Sequence, residues 1–138
     1  MQADLVQILS MVELYFKGLH YGDAGTLETL FHQDCVLKAP GQRRSISTWL
    51  NDVAKRSVPA HNNHPWEYRV LGVELMSEQA VVKLNCPLPH GHFIDYLGLL
   101  KEQGEWKIVN KMYANNSATY CLQSKAPQIN QSSNVTNP

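Results

Sequence analysis

Over residues 91–101 the chain alternates between two faces that are both largely apolar: Phe93, Asp95, Leu97 and Leu99 on one, and His92, Ile94, Tyr96, Gly98 and Leu100 on the other. A strand of that kind has to lie inside a sheet and be covered on both sides. The misfit within it is Asp95. A carboxylate on an apolar face must be paired with a cation, hydrogen-bonded, or kept protonated. The flanking Phe93, Leu97 and Leu99 favour a place on a pocket wall.

The remaining sequence tells what can surround such a strand. Leu5, Ile8, Leu9, Val12, Phe16 and Leu19 recur at helical spacing over residues 3–20, with Tyr15 at the edge of the stripe. Gly22 ends that helix, and Asp23 can cap a short second one carrying Leu27, Leu30 and Phe31. Residues 34–39 read as a strand stopped by Pro40-Gly41. After a short extended piece, Ser45 or Ser47 can cap a third helix with Ile46, Trp49, Leu50 and Val53 on its apolar side.

Residues 57–65 form a loop, and the chain beyond it is strand-like. Segments 66–76 and 79–86 meet at Ser77-Glu78, Pro87 and Pro89 are expected to break the sheet, and Gln103-Gly104 turns into a last strand over 105–113. Helices first and strands afterwards predict an α+β fold, a curved antiparallel sheet with three helices on one face. One domain over residues 1–123 accounts for the pattern, and 124–138 is a polar, loosely ordered tail.

In the last strand Trp106, Ile108, Asn110 and Met112 share one face, and Lys107, Val109, Lys111 and Tyr113 the other. The first set is expected to face the core. Asn110 then either bonds to nearby backbone or lines a ligand cavity.

Composition narrows the function. The 138 residues carry 12 Lys+Arg against 12 Asp+Glu, without the basic surplus of a nucleic-acid or membrane-surface binder. No apolar run reaches the ~20 residues of a membrane span, and the opening Met1-Gln2-Ala3-Asp4 lacks a basic leader. A cytoplasmic protein with no nucleic-acid or membrane partner is expected. Cys35, Cys86 and Cys121 are odd in number and far apart in sequence, against a disulfide framework. The sequons at Asn115, Asn130 and Asn134 read as products of an Asn/Ser-rich end. His61, His64, His90 and His92 have no Cys or carboxylate at ligand spacing, so no metal or cofactor is expected. On strict alternation His90 and His92 point away from the Asp95 side.

Val12-Glu13-Leu14-Tyr15, Gly22-Asp23-Ala24-Gly25, Leu30-Phe31-His32-Gln33-Asp34-Cys35-Val36 and the stretch 93–111 together resemble the nuclear transport factor two-like superfamily over about residues 3–115. The end of the chain most resembles its branch called "putative lumazine-binding". The resemblance implies a conical α+β barrel of the cystatin-like type, a deep cavity between sheet and helices, and a homodimer through the outer sheet face. In the ketosteroid isomerases of this superfamily, a helix Tyr and a protonated strand Asp form an oxyanion hole. Tyr15 and Asp95 match those positions, Trp49 matches a pocket aromatic, and the general-base position holds Ala39, which cannot move a proton.

Three functions are expected on these grounds. The leading one is a small-molecule binding protein in which Tyr15 and Asp95 hold one polar ligand atom and Phe31, Trp49, Leu97, Asn110 and Met112 line the cavity. The second is an isomerase, dehydratase or polyketide cyclase-like enzyme using Asp95 and Tyr15. The third is a dimeric accessory module without chemistry.

Overall fold

A computed structural model describes residues 2–116. The tail at 124–138, Cys121, the end of the expected domain and the sequons at Asn130 and Asn134 lie outside the described residues. Helix α1 spans Gln2–Tyr21, α2 Ala24–Leu30 and α3 Ile46–Lys55; the strands are β1 Phe31–Ala39, β2 Gln42–Ser45, β3 Arg69–Met76, β4 Gln79–Leu88, β5 Gly91–Glu102 and β6 Glu105–Asn115. Helices on one face of a curved sheet make the expected α+β architecture.

Each helix boundary has a local cause. Gly22 takes the left-handed conformation, φ 62°, that closes α1. The Asp23 carboxylate accepts from Thr26 N at 3.1 Å and opens α2, and Ser45 Oγ accepts from Thr48 N at 3.2 Å to open α3. Arg56 then leaves the helix in an extended conformation, its backbone N–H still bonded to Asp52 O at 2.9 Å.

The strand order is β2-β1-β6-β5-β4-β3, which places β5 inside the sheet as its two-sided pattern requires. The sheet is mixed, a correction to the antiparallel expectation, because β1 runs parallel to β6. Hairpin signals set direction only between strands that are consecutive in the chain, and β1 and β6 are the first and last strands. Pro87 does not break the sheet either. β4 continues to Leu88, and beyond the Asn85–Arg69 pairing it has only β5 beside it, where a missing N–H is tolerated. Phe31 is extended and begins β1 instead of ending the second helix.

The core runs from α1 to the inner sheet face. Ile8, Val12, Tyr15, Phe16 and Leu19 are buried, while Leu5 and Leu9 lie exposed, so the buried stripe of α1 is rotated onto Tyr15. The opposite sheet face carries Val81, Tyr96 and Met112 half-exposed.

One irregularity positions the site. Gly98 pairs with Asn110 but Leu99 pairs with Ile108, so Val109 is an extra residue bulging from β6. Trp106 and Ile108 face the core before the bulge, and Lys111 and Tyr113 face it afterwards. Asn110 and Met112 therefore turn to the outer face, correcting the expected alternation; there Lys38 Nζ donates to Asn110 Oδ1.

Candidate functional site: a charged cavity beneath the sheet

Asp95, from the middle of β5, is 2% exposed and accepts a hydrogen bond from the Tyr15 hydroxyl at 2.7 Å. The phenol is itself fully buried, on the α1 face that packs against the sheet. Burial, and then the facing carboxylate, pushes the Tyr15 hydroxyl well above its ordinary pKa, so it stays a donor. The two groups thus meet out of water.

A third group joins them. Lys111 Nζ lies 3.7 Å from Asp95 Oδ2, also buried. The ammonium sits 4.2 Å from the centroid of the Trp49 ring, with the Tyr15 and Tyr113 rings at 5.4 and 5.7 Å. Burial pulls Lys111 below the usual lysine value and the Asp95 carboxylate opposes that shift. Asp95 is thus both hydrogen-bonded and paired with a cation. Tyr15 spends its single proton on Asp95, so the two do not present converging donors to a ligand.

Next to this cluster is a cavity of about 120 Å³. Asp95, Lys111 and Trp49 reach its wall, with Phe93, Leu19 and Leu88 supplying apolar surface. Arg44 from β2, Arg56 beyond α3, His90 and Tyr113 complete it. Arg44 is well tied down: Nη1 donates to Asp52 at 3.0 Å and Nη2 to the Tyr113 hydroxyl at 3.0 Å, and that hydroxyl donates to Gln42 Oε1 at 2.8 Å. His90 stands exposed at the rim, and its imidazole is pushed down to about 4 by desolvation and then by Arg56, Lys111 and Arg44.

Of the residues chosen from sequence, Asp95 and Trp49 line this cavity. Tyr15 stands behind Asp95, and Phe31 and Leu97 are buried in the supporting core, Phe31 with its ring 5.4 Å from Trp49. Asn110 and Met112 are on the other face of the sheet. Ala39 ends β1 and carries no titratable group.

Sequence reasoning misses Lys111, Tyr113, Arg44, Arg56, Phe93 and His90 as cavity residues. The bulge hides the first two, since no alternation rule marks an inserted residue. His90 sits in the turn between β4 and β5, so strand parity does not govern its direction. The arginines bracket α3, a position without a motif. Among the described residues no group of three or more His, Cys, Asp or Glu side chains could hold a metal ion.

Comparison with known proteins matches a family model described as "Putative lumazine-binding" to residues 3–114. No curated protein matches by sequence. Similar solved structures include a nuclear transport factor two-like protein of unknown function from Silicibacter pomeroyi DSS-3, 19% identical, TM-score 0.67, covering 83% of this chain and 98% of that one. Another, from Shewanella baltica OS155, is 17% identical with TM-score 0.70 and covers 80% and 92%. The association domain of C. elegans CaMKII is 14% identical with TM-score 0.60 over 81% and 95%.

Proposed function

The chain belongs to the "Putative lumazine-binding" family of the nuclear transport factor two-like superfamily, and from that premise we propose that it binds a small molecule in the cavity beside Asp95. The observation that carries this reading is a wall that joins Trp49 and Phe93 to charged groups, the combination by which ligand sites hold and orient their guests. The volume of about 120 Å³ is near that of an apolar protein cavity of about 150 Å³ that accepts benzene. It suits one ring or a compact aliphatic body; a bicyclic lumazine would need the rim to move.

Native mass spectrometry of the purified chain, with a Trp49→Ala variant, tests the reading. A retained or titratable small molecule that is lost in the variant supports it. A wild-type chain that binds nothing, with no saturable response from the Trp49 indole to single-ring compounds, overturns it.

The outer sheet face favours a homodimer. Val81, Tyr96 and Met112 form an apolar strip across β4, β5 and β6, 49%, 38% and 49% exposed in a single chain. Among the described residues no helix is long and apolar enough to cross a membrane. Cys35 and Cys86 are buried free thiols, in keeping with a reducing compartment such as the cytoplasm.

A further inference from the structure

The charges around the cavity do not cancel. Lys111 is offset by Asp95 at 3.7 Å and Arg44 by Asp52 at 3.0 Å. Arg56 has no carboxylate within ion-pair distance among the described residues, and its Nη2 is buried without an acceptor. The Nε of Arg44 is a second buried donor without an acceptor, and Arg44 and Arg56 are close enough for each to feel the other's charge. Both side chains line the same cavity.

Buried donors left open are uncommon, because each forfeits its hydrogen bond to water without a replacement. Here one net positive charge, and two buried guanidinium nitrogens without acceptors, belong to side chains that line a space alongside Leu19, Trp49, Leu88, Phe93 and the Asp95–Lys111 pair. The group that answers both features is a carboxylate, whose two oxygens suit guanidinium donors and whose single charge equals the surplus.

We infer that the site takes a small organic carboxylate, its anionic head held by Arg56 and Arg44 and its apolar body of about one ring set against Trp49 and Phe93. This rests on the small-molecule reading above and adds the chemical class of the ligand. Desolvation is the larger cause of the lowered His90 imidazole, and Arg56, Lys111 and Arg44 add to it from the same cavity.

The test compares benzoate with its neutral isostere benzamide on the full chain, in low-salt buffer free of other organic anions. Affinities come from calorimetry, and the Trp49 indole resonance locates the binding. Benzoate should bind roughly tenfold or more tightly than benzamide, the scale of a charge-assisted contact. Arg56→Gln should remove that preference by weakening benzoate far more than benzamide, while Arg56→Lys should keep part of it.

Equal affinity of the two probes in the wild-type chain overturns the carboxylate inference and leaves the binding reading standing. Failure of both probes to move the Trp49 indole overturns the two together. A full preference that survives in folded Arg56→Gln also overturns it. The wild-type comparison decides the matter even where that variant does not fold.

Discussion

The ammonium of Lys111 lies 3.7 Å from the Asp95 carboxylate, one residue past the midpoint of β6 facing the middle of β5, and both groups are out of water. A bulge in β6 makes this pairing possible, by turning Lys111 toward the helices. The pair, with the Tyr15 phenol behind it, is the polar anchor of the cavity wall.

Removing one partner of such a pair strands the other charge in the interior. Lys111→Met should lower unfolding free energy by about 3–5 kcal/mol in urea titrations. Adding Asp95→Asn to it should cost much less than the two single losses combined, because the double variant has no unpaired charge. Additive losses would show that the two groups act independently.

Tyr15→Phe keeps the ring against Phe31 and Trp49, with centroids 6.2 and 6.5 Å away, and deletes only the hydroxyl. A hydrogen bond to a charged acceptor is worth about 1.5–3 kcal/mol, so a destabilisation of that size is expected by chemical denaturation. A change below about 0.5 kcal/mol, the usual surface value, would mean that Asp95 is satisfied without the phenol.

Acid should weaken the fold through its histidines. The His90 imidazole is pushed down to about 4 from 6.5, by desolvation and then by Arg56, Lys111 and Arg44. Burial also lowers His20 and His92. Between about 4 and 6.5 the unfolded chain therefore holds more protons than the folded one, so stability rises with pH across that window and falls as pH drops. Thermal unfolding from pH 7.5 to 4.5 should show this slope, and His90→Gln should flatten it. An unchanged slope in that variant would remove His90 from the account.

On the outer face, Tyr96→Glu and Met112→Glu should abolish self-association while leaving the melting temperature of the isolated chain nearly unchanged. Light scattering at micromolar concentration is expected to give twice the 15.6 kDa chain mass for the wild type and one mass for the variants. Wild-type protein that stays monomeric at that concentration sinks the dimer.

Much of this architecture is legible in the letters. The position of β5 comes from its two apolar faces, and the caps at Asp23 and Ser45 come from residue type and spacing. Asp95 stands out because a carboxylate among Phe93, Leu97 and Leu99 needs a partner. Its second partner is hidden, since Lys111 shares parity with Lys107 and only the extra residue Val109 separates their faces. Arg44 and Arg56 are hidden for a different reason. Each looks like an ordinary surface cation in its own segment, and only the folding of β2 and α3 against β5 and β6 brings them to one space.

Val109 thus acts as a dislocation in the chain. Run the strand through that residue without a bulge and its downstream half would rotate by half a turn, sending the amide and thioether inward and the ammonium and phenol outward. The hollow would then lose its ammonium and one phenol while the letters stayed the same. One sequence paired with and without that bulge could share a shape and enclose chemically different interiors, so locating the dislocation comes before reading any pocket chemistry from a pattern of alternation.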